Sequence, residues 1–258
     1  MSERLTYGSY LKVEELLALQ TPLSQPAHHD ELLFIIIHQV YELWFKQLLH
    51  ELDDVIVACD ADDLIRMGKI FRRVHAIQRV LGEQVDILET MTPQEFNRFR
   101  DHLNPASGFQ SQQFRELEFL CGLRDERLFE HLVLTPEQRE RLMLRMRAPS
   151  LPEHLAKFLT RTGFPCGSHD ETIASYRKIY DDERSYDALY LLLEDCIEFD
   201  ERLLLWRGRH VRMVERMIGH KRGTGGSSGV GYLQTTLEKR IFPELWEVRT
   251  YLGSETYG

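Results

Sequence analysis

The fold of this chain follows from one long stretch in which apolar residues recur at steps of three and four. It reads Leu203-Leu-Leu-Trp-Arg-Gly-Arg-His210-Val-Arg-Met-Val-Glu-Arg-Met-Ile-Gly219. Side chains at steps of three and four share one face of a helix. The apolar face predicted in this way contains Leu203, Trp206, His210, Met213 and Met217. The opposite face, which we expect to be solvated, contains Arg207, Arg209, Arg212, Glu215 and Arg216. The pattern predicts a long amphipathic helix with a histidine on its buried side.

His210 is the unusual member of this apolar face. A buried imidazole needs a partner, because a polar group without a hydrogen bond costs ~1–3 kcal/mol. The partner could be a backbone carbonyl or a carboxylate, which would make His210 a structural residue. It could also be a metal ion, which histidine binds more often than any other side chain. The helical pattern leaves both interpretations open.

Helix signals continue along the chain, and strand signals are nearly missing. One long helix is predicted to be capped by Asp30 and to run through His50, a second spans roughly residues 63–88, and a third runs from about Ser185 to Ile218. Further helix starts are predicted from capping signals at Thr92, Thr135, Ser150 and Pro243. The predicted loops are 104–108, 163–168 and 223–231. We therefore expect an all-α fold, a single domain over residues 1–258 built as a bundle of long helices.

Composition narrows the class of protein. The chain has 258 residues, 43% of them hydrophobic, and a net charge of −9. This acidic balance disfavours a nucleic-acid surface, which needs a basic face. The four cysteines lie far apart and form no C-x-x-C, which is typical of reduced thiols. The N-terminus lacks the apolar core of a signal peptide, and the longest apolar run, Leu32–Ile37, is too short to span a bilayer. We expect a soluble, cytoplasmic protein.

A second histidine lies on another apolar face. The spacing of three and four groups Phe34, His38, Tyr41, Phe45 and Leu48. Because nearly all of residues 32–45 are apolar, we expect this helix to be buried on most sides. Two histidines that face inward from different long helices could share one cavity. Each could instead be an ordinary core histidine with a partner of its own.

Metal motifs favour one kind of site. None of the 11 histidines lies three positions after a glutamate, so the Glu-x-x-His motif of ferritin-like di-iron proteins is absent from the sequence. The H-E-x-x-H motif of zinc proteases does not occur either. A non-haem iron or zinc site would need several ligands from distant segments. Haem needs only one axial histidine, because the porphyrin supplies four nitrogens. Haem is thus the most economical metal hypothesis, and the absence of C-x-x-C-H argues against covalent attachment.

Two other segments carry candidate ligand-binding groups. Phe96 and Arg100 lie four residues apart, so a ring and a guanidinium project together. Arg100 could bind a carboxylate in a bidentate manner or form a surface salt bridge. The run Gly223-Thr-Gly-Gly-Ser-Ser-Gly229 does not fit a nucleotide loop; it is either a flexible linker or an anion-binding nest to which Thr224 adds a hydroxyl. His220, at the predicted helix end, is expected to be solvated.

Five blocks of sequence match one known family in order. They are Phe34-Ile-Ile-Ile-His38-Gln-Val-Tyr-Glu-Leu-Trp-Phe-Lys46, Ser107-Gly-Phe-Gln-Ser-Gln-Gln-Phe-Arg115, Trp206-Arg-Gly-Arg-His210, Gly223-Thr-Gly-Gly-Ser-Ser-Gly229 and Phe242-Pro-Glu-Leu-Trp246. Together they resemble the tryptophan 2,3-dioxygenase family, and the blocks span almost the whole chain. The resemblance implies an all-helical homotetramer with one non-covalent haem b per subunit, ferrous in the active form. The implied reaction inserts both atoms of dioxygen across the C2–C3 bond of the L-tryptophan indole. The product is N-formyl-L-kynurenine, and the reaction is the first step of tryptophan breakdown through the kynurenine pathway.

The same resemblance implies a role for individual residues. His210 would be the proximal haem ligand, Ser107 a further cofactor-binding residue, and His38 the distal catalytic histidine, which orients the indole N–H. The residues implied to bind the indole are Phe34, Ile35, Ile36, Ile37, His38 and Phe96. Those implied to hold the amino-acid end are Arg100, on the carboxylate, and Thr224, on both the ammonium and the carboxylate. The N-terminal residues Tyr7, Tyr10 and Leu11, within a segment 1–20 that contacts a neighbouring subunit, would reach into that subunit's pocket.

Two alternatives remain beside this interpretation. A haem-binding sensor on the same bundle would use His210 but would not need Arg100, Thr224 or His38. The indoleamine dioxygenase branch would accept a broader range of indoles. The N-terminal segment and the tetramer that it implies favour the tryptophan-specific enzyme.

Overall fold

The computed structural model describes residues 4–224 and 229–253, and this part of the chain forms α-helices and short 3₁₀ turns without a strand. The α-helices are α1 (Tyr7–Leu11), α2 (Val13–Leu17), α3 (His29–Asp60), α4 (Leu64–Leu88), α5 (Pro93–Phe99), α6 (Gln112–Leu120), α7 (Pro136–Arg147), α8 (Leu151–Arg161), α9 (His169–Asp181), α10 (Asp187–Ile218), α11 (Val230–Gln234) and α12 (Pro243–Glu247). The 3₁₀ turns are Arg100–Leu103, Gly108–Gln110, Glu126–Glu130 and Val248–Thr250. The all-α prediction is confirmed.

The centre of the molecule is a layer of three long helices, in which α4 packs against both α3 and α10. Each helix contributes an apolar stripe with the three-and-four spacing that buries one face. The buried stripe of α4 consists of Met67, Ile70, Phe71, Val74, Ile77, Leu81, Val85 and Leu88. Helices α6 and α8 also pack against α3. The core is thus formed mainly by residues that the helical period of the sequence identifies.

Most predicted helix starts are confirmed, and their caps have the expected geometry. Thr92, Thr135 and Ser150 each form a capping box, and the Asp63 side chain caps α4. The Asp30 cap is wrong, because α3 begins at His29 and its N-cap residue is His28, two residues before Asp30. The residue before α3 is instead held from outside the helix: the backbone N–H of His28 donates to Ser24 Oγ at 2.9 Å.

The prediction that Arg207 is solvated is also wrong. Its side chain is only 4% exposed, although it lies on the predicted polar face of α10. The reason is that the buried arc of α10 is wider than the apolar stripe, because α6 and the segment after α11 also pack there. Nη1 of Arg207 donates to the Lys239 carbonyl at 2.9 Å, and Nη2 lies 3.3 Å from Glu118 Oε1. Burial is possible because the guanidinium is partnered.

Helix α3 is less covered than its composition predicts. Leu32, Ile36 and Leu43 are 41–54% exposed on the chain taken alone. The helix has an 18-residue window of mean hydropathy 1.2, which makes it long and apolar enough to cross a membrane. Core helices of soluble proteins have the same length and composition, and the opposite side of α3 packs on α4, α6 and α8.

The chain after α11, at residues 239–246, is attached to α10 by a buried carboxylate. Asp200 is 0% exposed, and its Oδ2 accepts hydrogen bonds from the backbone N–H of Ile241 at 2.9 Å, from that of Phe242 at 3.1 Å and from Trp246 Nε1 at 3.0 Å. With the Arg207–Lys239 bond, this attachment holds residues 239–246 along α10.

Candidate ring-binding cavity and its two histidines

A cavity lies between α3, α5, α6, α10 and α11, and it is bordered by the segments that precede α6 and α11. Eight aromatic rings contribute to its wall, beside aliphatic residues such as Leu88, Met213 and Val214. The rings are those of Phe34, Tyr41, Phe45, Phe96, Phe109, Phe114, Trp206 and Tyr232. His38 and His210 both line it, so two histidines from distant parts of the sequence face one space. A cavity with this wall suits a flat apolar group.

His210 enters the cavity wall from the second half of α10. Its ring stacks on that of Trp206, one turn earlier, with 5.6 Å between the centroids and 8° between the planes. Burial, together with a smaller effect of the nearby His38, lowers the pKa of His210 to about 4. The imidazole is therefore neutral near pH 7, which is the form that coordinates a metal.

His38 enters the same space from α3, and its tautomer is defined. Nδ1 lies 2.7 Å from the Phe34 carbonyl oxygen, which can only accept, so Nδ1 carries the proton. Burial lowers the pKa of His38, against smaller opposite effects of this hydrogen bond and of Glu42. The neutral ring consequently presents an unprotonated Nε2, which can accept a hydrogen bond from a ligand.

Phe96 and Arg100, which their spacing predicted to project together, both line the cavity. Phe34, Phe96 and Phe99 form a three-ring cluster with centroids 5.4–5.7 Å apart. Nη2 of Arg100 donates to the carbonyl of Arg222, in the segment that follows α10. The guanidinium thus faces the cavity and at the same time holds the start of the glycine-rich segment.

Thr224 lies on that segment and also borders the cavity. Its hydroxyl donates to the Ala106 carbonyl at 2.6 Å, which ties the segment to the chain before α6. At the other end, Gly229 has φ +64°, and a Cβ built there would lie 2.6 Å from the Lys221 carbonyl oxygen. Only glycine allows the two ends to approach so closely. Residues 225–228, the middle of the predicted loop, lie outside the described residues.

A buried cluster of charges forms another part of the wall. Arg115, Glu118 and Arg207 all line the cavity and are at most 5% exposed. Glu118 forms ion pairs with both arginines. Ser107, which lies nearby on the lining, accepts a hydrogen bond on Oγ from the Phe109 N–H at 3.3 Å. The cluster gives one edge of an otherwise apolar cavity an excess of cationic groups, which suits a ligand with carboxylates.

Other residues implied by the resemblance lie away from this cavity. Ile35, Ile36 and Ile37 fall outside its lining, because successive helical residues point about 100° apart and only Phe34 and His38 share the inward direction. Ile37 is instead buried in the core beside Met213 and Met217. Tyr7, Tyr10 and Leu11 belong to α1 and are 45–79% exposed. His220 is exposed, as predicted.

Reasoning from the sequence missed part of the site. The role of Arg115, Glu118 and Arg207 as lining residues was not predicted, although two of them fall inside blocks that carry the resemblance. Arg115 and Glu118 lie three residues apart and share a face of α6, which was the available signal. Arg207 gave no such signal, because it falls on the predicted polar face of α10. Among residues 4–224 and 229–253, no three His, Cys, Asp or Glu side chains converge as a ready metal cage.

Fold and site together define a helical protein that encloses a ring-lined cavity between two neutral histidines. The sequence matches the profile of the tryptophan 2,3-dioxygenase family over residues 1–163 and 168–252. A protein named tryptophan 2,3-dioxygenase from Nocardioides sp. is 48% identical over 254 residues, covering 96% of this chain and 95% of that protein. Proteins of the same name from Xanthomonas oryzae pv. oryzae and Xanthomonas campestris pv. campestris are 45% and 44% identical over 98% and 97% of this chain, and 90% and 88% of their own. The chain belongs to the tryptophan 2,3-dioxygenase family.

Proposed function

We propose that this protein is a haem-dependent dioxygenase that converts L-tryptophan and dioxygen into N-formyl-L-kynurenine, the first step of tryptophan breakdown through the kynurenine pathway. The observation that carries the proposal is the pair His38 and His210 on one ring-lined cavity in a member of this family. The haem-sensor alternative has no use for the arginine and threonine that border the same cavity.

Haem b fits the groups that line the cavity. His210 is neutral, and no protein group of the described ranges hydrogen-bonds its ring, so a nitrogen is available as an axial ligand. The rings of the wall suit a porphyrin, and Arg115 and Arg207 supply cationic partners for its two carboxylates. Bound ferrous haem supplies the chemistry of dioxygen, while the protein orients the substrate and excludes water.

The substrate's indole is handled by α3 and α5. Phe34 and Phe96 form a flat apolar slot, and His38 Nε2 is an acceptor beside it. An indole N–H donates and does not accept, so it matches this nitrogen. Because an indole N–H is a weak acid, we assign His38 an orienting role. A fixed orientation of the C2–C3 bond toward the site of dioxygen lowers the entropic part of the barrier.

The amino-acid end of the substrate is handled by the segment after α10. Arg100 can exchange its bond to the Arg222 carbonyl for a bidentate bond to the substrate carboxylate. Thr224, tied to Ala106, brings a hydroxyl to the same end of the cavity and can contact the ammonium and the carboxylate. Both residues also hold the segment against the cavity mouth, where it limits the access of water.

The proposal includes the assembly and location of the protein. Several apolar side chains of α1 and α3 are exposed on the single chain, among them Tyr7, Tyr10 and Leu32, and they suit burial against another copy of it. We propose a single-domain subunit in a cytoplasmic homotetramer whose residues 1–20 contact a neighbouring pocket. A Tyr10→Ser variant should sediment as a smaller species and have a higher KM for L-tryptophan.

The test of the proposed function compares His210, in α10, with His220, which lies just after that helix ends. Purified protein should show a Soret band that shifts when L-tryptophan is added, and product absorbance should appear with dioxygen. His210→Ala should lose haem or turnover, whereas the matched variant His220→Ala should keep both, because His220 is exposed. Haem without turnover of L-tryptophan would support a sensor, and equal turnover of D- and L-tryptophan would support the indoleamine branch. A protein that binds no haem would end the proposal.

A further inference from the structure

The plane of the His210 ring is set by a neighbouring indole. Trp206 and His210 lie one turn apart on α10, and their rings are parallel within 8°. A stacked pair at a centroid distance of 5.6 Å restricts rotation of the imidazole about χ2, because rotation would bring its edge against the indole face. Side-chain rotation about this bond is otherwise broad for histidine.

Trp206 is itself held by rings from two other helices. Its ring lies 6.1 Å from that of Tyr41 and 6.2 Å from that of Phe45, both on α3, in edge-to-face arrangements. Phe114 on α6 lies 5.4 Å away at 49°. These three ring contacts restrict the rotation of the Trp206 side chain. The fixed indole in turn restricts the orientation of the His210 ring that stacks on it.

A hydrogen bond to another residue does not fix the orientation of the His210 ring in the described part of the chain. Histidines that bind metals usually donate their second ring N–H to a carboxylate or a carbonyl, which fixes the ring. Within residues 4–224 and 229–253, no carboxylate or carbonyl accepts a hydrogen bond from the His210 ring. The stack on Trp206 is the contact in the described structure that orients the ring.

The indole N–H of Trp206 lies near the hydroxyl of Tyr41. Nε1 of Trp206 is buried and has no acceptor in hydrogen-bonding geometry among the described residues. Its neighbour is the Tyr41 hydroxyl, which donates to the Leu81 carbonyl at 2.9 Å and whose pKa is raised by burial and partly lowered by this N–H. The contact with Tyr41 adds to the ring packing that holds the indole.

We propose that Trp206 is a positioning residue for the proximal histidine: it aligns the His210 imidazole for haem through ring stacking, in place of a hydrogen-bonding partner. The inference rests on the proposed function, since it assumes that His210 ligates haem. It predicts a neutral proximal imidazole whose orientation depends on an aromatic ring at position 206.

The experiment uses Trp206→Leu, which removes the ring, and Trp206→Phe, which keeps a smaller one. In the ferrous protein, the iron–histidine stretching band seen by resonance Raman should shift or broaden in Trp206→Leu and return toward its original position in Trp206→Phe. Haem transfer to an acceptor protein should be about tenfold faster for Trp206→Leu, in the range seen when partners of a metal-binding histidine are removed.

The control is Phe199→Leu, which removes a buried ring of the same helix outside the cavity, where it contacts Phe71. It should lower the free energy of unfolding without moving the iron–histidine band. An unchanged band in Trp206→Leu, or the same shift in Phe199→Leu, would overturn the inference.

A second readout works without haem and separates the two proposals. In the ligand-free protein, NMR signals of the His210 ring protons, assigned with His210→Gln, should lie upfield because the indole ring current acts on them. The upfield shift should disappear in Trp206→Leu. If the protein binds no haem but the His210 ring protons are shifted upfield, the proposed function is wrong and the stacking of Trp206 on His210 is confirmed. If haem binds and the shift and the Raman band are both insensitive to residue 206, the positioning role fails.

Discussion

His38 donates its Nδ1 proton to the carbonyl oxygen of Phe34, which lies 2.7 Å away and one turn earlier in α3. The rings of the same two residues are in contact, with centroids 4.0 Å apart. The helix therefore fixes both the tautomer and the tilt of the imidazole before any ligand is present. Nε2 is the nitrogen left to accept a hydrogen bond.

Replacing His38 by alanine should remove the acceptor for the indole N–H while leaving haem bound to His210. Loss of one hydrogen bond of about 1 kcal/mol predicts a fall in kcat/KM for L-tryptophan of roughly fivefold. Steady-state product formation at equal haem content measures the effect. 1-Methyl-tryptophan, which lacks the N–H, is the control substrate, and its turnover should suffer much less. Equal losses for both substrates would contradict the orienting role.

Replacing Arg100 by alanine should weaken recognition of the substrate carboxylate. A hydrogen-bonded ion pair at a partly exposed guanidinium is worth about 1.5–3 kcal/mol, so KM should rise by at least roughly tenfold. Binding of tryptamine, which has no carboxylate, should change little in the same variant. Titration of the Soret band with both ligands makes the comparison. An unchanged KM for L-tryptophan would rule out the carboxylate contact.

Replacing Gly229 by alanine should push apart the backbone at Lys221 and at residue 229, which approach each other closely at the cavity. The new Cβ would lie 2.6 Å from the Lys221 carbonyl oxygen at a φ of +64°, so the backbone must move. A displacement of about 1 Å near a substrate can lower activity by roughly 10²-fold, and we expect a loss of that order with haem retained. Gly208→Ala on α10 is the matched control, because a Cβ there meets no atom within 4 Å. Normal activity of Gly229→Ala would show that the close approach is not needed.

The Glu31 carboxylate should make stability depend on pH in the acid range. Burial acts to raise its pKa, but donors from the Ser24 hydroxyl and from the backbone N–H groups of Leu23 and Ser24 outweigh burial, and the pKa is lower than the ordinary 4.5. A lowered pKa in the folded state stabilises the protein above pH 4.5, and the contribution is lost as the pH falls below that value. Glu31→Gln should be less stable than the original chain by about 1–3 kcal/mol at neutral pH. Urea unfolding should show that difference shrinking on acidification, and a constant difference would contradict it.

The helical period of the sequence was enough to predict the class of fold and the three long helices. The caps were also predictable, since Thr92, Thr135 and Ser150 carry their signals within four residues. Helices α1, α2, α6, α9 and α11 were not predicted. The short α11 begins at Val230, next to a segment rich in glycine, where local propensity disfavours a helix and tertiary contacts stabilise it.

For the site, the two histidines could be predicted as inward-facing but not as neighbours. Their placement on one cavity depends on how α3 and α10 pack on α4, which the period of each helix does not encode. The burial of Arg207 was unpredictable for a similar reason, because its partners, Glu118 and Lys239, are distant in sequence. For Arg100 and Thr224 the sequence left a ligand-binding role open beside a structural one, and only the family resemblance favoured contact with the substrate.

The charges that line the cavity are not balanced. Three arginines, at positions 100, 115 and 207, face two glutamates, at positions 42 and 118. An unmatched buried cation raises the free energy of the folded chain, and a cofactor with two carboxylates relieves it. Because a ligand of the folded state adds its binding free energy to stability, the unloaded chain should be degraded faster in the cell. The amount of enzyme in the cell should then follow the supply of iron porphyrin.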